Sequence, residues 1–363
     1  MTSATIITIY DPNPNYGNRL QNYAVQTVIE NMGIKVNTVS FMDSKLGIKG
    51  ELKYIVQKMT LYSLPGDKAY WRNVPPRIHI FEKFNKQYIH TEKIKKIEDV
   101  KSTDYYILGS DQVWNPDWYS ESELKKDLFL LTFCKPEQKV CFSPSFSIDS
   151  LPNEWEQWFK KWLPTFPILG TREESGVRII KSLTGRDAEV TIDPTLMLDK
   201  EEWMKISKKP KHVNCDRKYI LTYFLGGITK EIEHDVQEYA KELGDLQIYN
   251  LLDYSQPDIY ISGPSEFVYL IENAEIVLTD SFHACVFSFL FAKPFLCYDR
   301  NGVENSMNSR IETLFSKFDL QRKYVNSELS NDLLECDYSH GYEQLKVERE
   351  KLMAFLKKSM KVQ

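Results

Sequence analysis

The sequence lacks the marks of several large protein classes. Its six cysteines (Cys134, Cys141, Cys215, Cys285, Cys297 and Cys336) form no C-x-x-C pair. Several lie inside apolar stretches, the usage of reduced, buried thiols and not of a disulfide scaffold or a zinc site. No run approaches the ~18 apolar residues of a membrane span. The opening MTSATIITIY has no basic stretch leading into an apolar one, so no secretory leader is read, and a cytoplasmic protein is expected. There is no excess of positive charge: the net charge is −5, which excludes a general nucleic-acid coat. G-x-G-x-x-G is missing, so dinucleotide binding has little support. H-x-x-x-H, D-x-D and carboxylates at ligand spacing are missing too, and no metal is expected. Internal repeats and low-complexity tracts are also absent.

What is present is a chain of 363 residues, beyond the usual single-core size of roughly 250–300, which favours two lobes. Apolar residues at 42% and aromatics at 13% suffice for real cores and exclude a disordered chain. Strands and helices alternate in two rounds. Residues 4–10 (ATIITIY) read as a strand buried on both faces. A helix is expected from about Arg19, with Leu20, Ala24, Val28 and Met32 on one face and Gly33 as its stop. Strand 34–41 completes a β-α-β unit; strands at 104–108 and 139–143 and a helix at 173–184 follow. The second round starts with strand 219–225, then helix 229–243, strand 246–251, helix 265–273, strand 275–279, helix 281–292 and strand 295–298. A last helix covers about 341–359. Right-handed β-α-β crossovers in two sets predict an α/β fold of two doubly wound, Rossmann-like lobes facing across a cleft. The lobes are read as 1–205 and 206–330, with a helical segment at 331–363 and the boundary in the polar stretch 200–217.

Segment 44–101 stands apart, with 13 Lys or Arg against 6 Asp or Glu. It reads either as a solvated helical insertion in the first lobe or as a basic surface facing an anionic acceptor or lipid heads. Trp155, Trp158 and Trp162 fall on one helix face beside two lysines; packing is the favoured reading there over insertion into a lipid interface.

Four motifs carry candidate chemistry. Asn15-Tyr16-Gly17-Asn18-Arg19-Leu20-Gln21 follows the first strand. Gly17 permits a tight turn, and Asn18 and Gln21 suit hydroxyl recognition, although an ordinary Asn cap explains the segment as well. Gly109-Ser110-Asp111-Gln112-Val113-Trp114-Asn115 follows strand 104–108. Asp111 and Gln112 suit sugar hydroxyls and Trp114 a sugar ring, the plain alternative being an Asp–Ser turn with a packed Trp. Arg172, opening a helix, suits a bidentate grip on a carboxylate, or else a surface ion pair; Asp193-Pro194-Thr195 comes soon after. Thr279-Asp280-Ser281-Phe282-His283 ends a strand and opens an apolar helix. A His and a Ser beside free helix N–H groups make an anion site of the phosphate-binding kind.

Together these residues resemble the polysaccharide pyruvyl transferase family. The matching pieces are NYGNRLQNYA (15–24), LGSDQVWN (108–115), SPSFS (143–147), TREESG (171–176), DPTLML (193–198), YFLG (223–226), GPSEFVYLI (263–271) and TDSFHACVFSFLFAKPF (279–295), in family order over about residues 4–320. The sequence departs from the family where Phe282 stands beside the His in place of a frequent Arg or Lys, and where Ser147 replaces a Gly.

The resemblance implies a fold like the GT-B glycosyltransferases, with the acceptor on the first lobe and the donor on the second. It implies a pyruvyltransferase that moves the pyruvyl group of phosphoenolpyruvate onto two hydroxyls of one sugar, giving a ketal and phosphate. The sugar would belong to a cell-surface polysaccharide (capsule or exopolysaccharide) or to its lipid-diphosphate-linked precursor. Phosphoenolpyruvate is then a co-substrate and no cofactor is implied; nucleic acid is not a partner. Peripheral contact at the inner face of a membrane fits a lipid-linked acceptor. By motif match Arg172 holds the donor carboxylate and His283 the phosphate, with Ser281, Gly226 and Glu266 near the donor. Arg310 would compensate for the missing cation at 282. His283 and Asp111 are the acid/base candidates, with Glu266 as substitute. Asn15, Asn18, Gln21, Asp111, Gln112 and Trp114 are assigned to the acceptor. Two alternatives stay open on the same architecture: a sugar-nucleotide glycosyltransferase and a catalytically inactive glycan-binding homologue.

Overall fold

The computed structural model describes residues 2–10, 14–41, 68–119, 122–302, 309–325, 334 and 336–362. The first part of the basic insertion, 44–67, lies outside them.

Five short strands form the first sheet: β1 (Ser3–Ile7), β2 (Lys35–Phe41), β3 (Thr91–Ile94), β4 (Tyr105–Leu108) and β5 (Lys139–Cys141). All pair in parallel, in the order β3-β2-β1-β4-β5. A small parallel pair, β6 (Gly170–Thr171) and β7 (Glu189–Val190), follows. The second sheet holds β8 (Tyr219–Tyr223), β9 (Gln247–Asn250), β10 (Ile276–Thr279) and β11 (Phe295–Cys297), again parallel, in the order β11-β10-β8-β9. The β-branched and apolar runs that suggest strands covered on both faces have that burial: Ala4, Ile6, Ile7, Ile107 and Leu108 are all buried. This is the expected two-lobed, Rossmann-like arrangement. In each sheet the order reverses once, between β1 and β4 and between β8 and β10. Loops leaving strands at such a switch point open the crevice in which ligands bind.

Helix α1 (Tyr16–Asn31) begins three residues earlier than its apolar spacing predicts, because the Asn15 side chain accepts the Asn18 N–H and caps it there. Most of the NYGNRLQ motif is therefore helix, not loop. Helix α2 (Lys68–Tyr88) lies in the described part of the insertion, 68–101, which also supplies β3. Then come α3 (Glu123–Phe129), α4 (Asn153–Trp162), α5 (Glu174–Thr184), α6 (Lys200–Met204), α7 (Lys230–Glu242), α8 (Pro257–Tyr260), α9 (Pro264–Asn273), α10 (Phe282–Leu290), α11 (Ser309–Phe318) and α12 (Ser339–Met360). On α4 the tryptophans pack: Trp155 lies edge-on to Tyr119 at 5.1 Å and Trp158 to Trp162 at 5.9 Å.

The lobes are joined, not merely apposed. One apolar cluster runs from the first sheet through α1 into α9 and α10 of the second lobe. At its centre Tyr16 stacks on Phe267 at 4.5 Å. Each such ring contributes about 1.5–3 kcal/mol on burial, so parting the lobes along α1 would forfeit several increments of that size. At α2 the seam also corrects the solvated reading of the insertion. Arg77 on α2 is buried there, its guanidinium donating to the Tyr16 hydroxyl at 3.0 Å, to the Leu251 carbonyl at 3.2 Å and to the Tyr260 carbonyl. Helix α12 crosses back to the first lobe, where Arg349 donates to the carbonyls of Leu196 and Leu198 and Tyr105 to that of Met360. Among the described residues no helix is long and apolar enough to cross a membrane.

Candidate active site

The two switch points face each other, and the motifs converge between them. Pairing of β6 with β7 sets Arg172 beside the segment leading to Asp193, and the Arg172 N–H is fixed on the Pro144 carbonyl at 3.1 Å. Asp193 caps a short turn: its Oδ1 accepts the Thr195 N–H at 2.9 Å and the Thr195 hydroxyl at 2.6 Å. Its Oδ2 accepts the Arg172 guanidinium and the Ser110 hydroxyl at 3.1 Å. His283 Nε2 of the second lobe stands 3.8 Å from that same oxygen. Arg172 and His283 thus meet at one carboxylate, one from each lobe.

His283 lies in the first turn of α10, whose cap residue Ser281 makes no side-chain bond to the helix N–H groups. Its ring sits on α1 at Gly17, where a β-carbon would come within 2.0 Å of Nδ1. Glycine is needed there for close approach, not for a turn. His283 is accordingly buried. Phe282 touches the cations around it, with Arg172 4.8 Å and Arg310 5.9 Å from the ring centroid. Arg310 arrives from α11. Buried donors without a protein partner include Arg172 Nε and Nη2, Arg310 Nε and His283 Nε2. Such atoms are rare in folded proteins, and four from three side chains converging on one place call for a polar ligand.

The charges set the protonation states. Burial would raise the Asp193 pKa, but Arg172, His283 and the Thr195 bonds outweigh it and hold the carboxyl at about 2. Burial drives His283 down to about 4; Arg172 and Arg310 add to this, while Asp193 and Asp111 oppose it. Burial likewise lowers Arg310 to about 9, helped by Arg172 and Arg300 and opposed by Asp111 and Glu173. Among the described residues no carboxylate lies within ion-pair distance of Arg310. The centre thus holds two buried guanidiniums and a neutral imidazole around the Asp193 carboxylate, with the carboxylates of Asp111 and Glu173 farther off, and its unpartnered guanidinium nitrogens suit a small anion.

The sequence pattern of the polysaccharide pyruvyl transferases matches residues 15–302, most of the chain. The chain belongs to that family. No curated protein sequence matches it. Solved structures similar to it include the UDP-GlcNAc 2-epimerase of Neisseria meningitidis, at 10% identity over 99% of this chain and 94% of that one, with a TM-score of 0.41. An alpha-glucosyltransferase in complex with UDP is 11% identical over 98% and 96%, TM-score 0.44. The UDP-GlcNAc 2-epimerase of Methanocaldococcus jannaschii is 12% identical over 96% and 99%, TM-score 0.38.

Not every residue assigned to the site of this pyruvyl transferase family member reaches the centre. Trp114 is fully buried, its indole N–H donating to the Phe129 carbonyl at 3.2 Å and its rings packed on Phe146 and Phe166. It is a core residue and offers no face to a sugar. Gln21 is also buried, its amide nitrogen donating to the Thr8 hydroxyl at 2.9 Å and the Asn18 carbonyl at 3.1 Å. Glu266 caps α9 by accepting the Gly263 N–H at 3.1 Å, with Lys208 and Lys83 as its charged neighbours. It stands apart from Arg172 and His283. The Gly226 N–H is committed to Asp280 at 2.7 Å, as is that of Leu225, so this loop positions Asp280 and leaves no donor free at Gly226. Ser281 is buried at the α10 cap, beside the centre.

Asn15 is exposed at the α1 cap, and Gln112 is buried in the turn after β4. Asn18 and Asp111 do meet: the Asn18 amide donates to Asp111 Oδ2 at 3.1 Å. Asp111 holds φ 79°, and Ser143 and Ser147 nearby hold φ 58° and 55°. Left-handed backbone at three non-glycine residues is the strain commonly found at functional sites.

The motifs give no role to Asp193, the hub of the cluster. Its one sequence signal is Asp-Pro-Thr, an Asp able to cap its own turn through a residue two positions on. Glu173 is a second such residue, accepting the N–H groups of Phe146 and Ser147 at 2.7 and 3.1 Å and so shaping the SPSFS loop.

Proposed function

We propose that this transferase uses phosphoenolpyruvate and forms a cyclic pyruvate ketal on a sugar of a surface polysaccharide or of its lipid-linked precursor. The observation that carries this is the buried group of Arg172, Arg310 and His283 at the uncapped start of α10. A donor with a carboxylate and a phosphate on neighbouring atoms needs two cationic anchors a few ångströms apart. The open edge of Arg172 (Nε and Nη2) suits the carboxylate. Arg310, with no carboxylate within ion-pair distance among the described residues, and the first N–H groups of α10 suit the phosphate.

The chemistry divides into two steps. The donor's methylene carbon takes up a proton, the neighbouring carbon gains oxocarbenium character, and a sugar hydroxyl bonds to it. The C–O bond to phosphate then breaks and the second hydroxyl closes the ring. One hydroxyl proton ends on the new methyl group and the other leaves with phosphate. Asp111, anchored by Asn18, is the base proposed for the acceptor hydroxyl. His283 is the acid proposed for the departing phosphate. Its imidazole is neutral among the protein's own charges, and an arriving phosphate supplies the negative field that favours the imidazolium. Acid/base groups of this kind are typically worth 10²–10⁴-fold.

The test is incubation of the purified protein with phosphoenolpyruvate and a panel of free and lipid-diphosphate-linked glycans, read by mass. Pyruvate added to a glycan with release of phosphate is the expected result. Transfer from a nucleotide sugar instead would make it a glycosyltransferase, and glycan binding without turnover an inactive homologue.

A further inference from the structure

We propose that Phe282 is a positioning residue, a ring that fixes the separation of the two anion anchors and thereby selects a ligand carrying two anionic groups. The inference rests on the donor proposed above and adds to it which residue sets the donor's permitted span.

Phe282 is the neighbour common to the whole cationic group. Arg172 lies 4.8 Å from its ring centroid, Arg310 lies 5.9 Å away, and the His283 ring stands edge-on at 5.2 Å and 88°. The ring itself is buried and held at the first position of α10, so it has little freedom to move. Two buried guanidiniums repel each other, and only Arg172 has a carboxylate partner among the described residues. The negative face of an aromatic ring stabilises a cation most where water is excluded. Phe282 therefore adds to the longer-range pull of Asp111 and Glu173 an attraction that keeps Arg310 near Arg172, and among the described residues no carboxylate sits within ion-pair reach of Arg310 to compete with a ligand. It also supplies the rigid surface that fixes where each guanidinium stands. A Lys or Arg at this position would add charge but no such surface. In this chain the second cation comes from α11, and the ring decides its place.

This has a distinctive consequence. A ligand with one anionic group engages one anchor and is indifferent to the spacing. A ligand with a carboxylate and a phosphate engages both, and loses the benefit of simultaneous contact when the spacing is lost. The experiment is calorimetric titration of the full chain with phosphoenolpyruvate, inorganic phosphate and pyruvate separately. The proteins compared are wild type, Phe282→Leu, Phe282→Met and Phe282→Tyr. Phe282→Leu keeps an apolar side chain but removes the ring, and Phe282→Met serves if the Leu variant does not fold; Phe282→Tyr keeps the ring.

The expected result is that Leu or Met weakens phosphoenolpyruvate by about tenfold or more, while each single anion changes by less than about twofold. Tyr should restore the phosphoenolpyruvate affinity. Unchanged phosphoenolpyruvate affinity in the ring-less variants overturns the proposal, as does an equal loss for all three ligands, which would make Phe282 mere packing. Wild-type protein that does not bind phosphoenolpyruvate at all would instead remove the donor assignment, and this inference with it.

Discussion

His283 of the second lobe rests directly on the backbone of Gly17 in the first, so close that a β-carbon there would stand 2.0 Å from Nδ1 and 2.5 Å from the next ring atoms. The contact links the helix carrying the candidate acid to the motif that follows β1. Gly17→Ala must push the imidazole away from Asp193 and the shared centre. Displacing a reacting group by about 1 Å can reduce rate by ~10²-fold, and kcat/KM for the donor should fall by at least that much. The overpacking should lower stability by only about 1–3 kcal/mol. Steady-state kinetics beside a thermal melt would show it; a Gly17→Ala protein with wild-type turnover would mean that His283 has no part in the reaction.

Asp193 faces the positive charge of Arg172 and stands beside His283, and is itself fully buried. Asp193→Asn keeps the shape and removes the anion, leaving Arg172 without its buried partner. Breaking a buried pair in this way costs about 3–5 kcal/mol, so a large drop in melting temperature is expected. Inorganic phosphate should then bind tighter than to wild type and recover part of that stability, because the carboxylate paired with Arg172 no longer competes with an incoming anion. A variant that melts like wild type and binds phosphate no better would show that Asp193 does not set the field at this centre.

Much of this arrangement was legible because its signals are local. Strand runs such as ATII and the Arg172 and His283 motifs at strand ends point to a parallel-sheet fold with a cleft site before any contact is known. Other parts depend on contacts between distant segments. Arg77 belongs to a segment rich in lysine and arginine and carries no sign that it lies buried under Tyr16 and Tyr260. Gly17 reads as a turn residue, since its need for glycine comes from a ring 266 positions away in sequence. Trp114, Gln21 and Glu266 have the right chemistry and the right neighbours in sequence, yet Trp114 and Gln21 point into the core and Glu266 serves its own helix cap. Which face a polar residue takes after a strand end depends on packing that composition does not record.

Trp114 gives a direct test of that last point. With the ring fully buried and packed on Phe146 and Phe166, its loss should be felt as stability and not as acceptor recognition. Trp114→Ala should cost about 3–5 kcal/mol, while Trp114→Phe should fold and keep the acceptor KM. A large rise in acceptor KM for the Phe variant, with donor KM constant, would return Trp114 to the sugar site.

Lys93, Lys95 and Lys96 are exposed at the end of β3, on the edge of the sheet from which the other site loops leave. If they guide an acceptor bearing a diphosphate, replacing all three by Gln should raise the acceptor KM and leave the donor KM alone. Salt should imitate the substitution, since exposed charges are screened beyond ~10 Å at 0.1 M. Equal changes in both KM values, or none, would leave these lysines as a solvated edge.

His283 makes folding depend on pH in a definite direction. Its imidazole has an ordinary pKa of 6.5, and in the fold burial and the neighbouring arginines hold it at about 4. Below pH 6.5 the unfolded chain therefore takes up a proton that the folded protein refuses. Stability should fall as pH drops from 6.5 towards 4, by roughly 1.4 kcal/mol per pH unit at most, and this contribution should level off below 4. Asp193 acts in the same sense but lower, between its ordinary 3.8 and about 2, so the two windows are separable. His283→Gln should flatten the upper window. Added phosphate should shrink the upper loss in wild type, because an anion beside the ring restores its affinity for the proton. Chemical-denaturation midpoints measured from pH 7 to pH 4, in chloride and in phosphate at matched ionic strength, would show both effects. Parallel curves for wild type and His283→Gln across that range would mean that the imidazole is not held neutral by this site, and with it would fall the role of His283 as an acid charged by its own substrate.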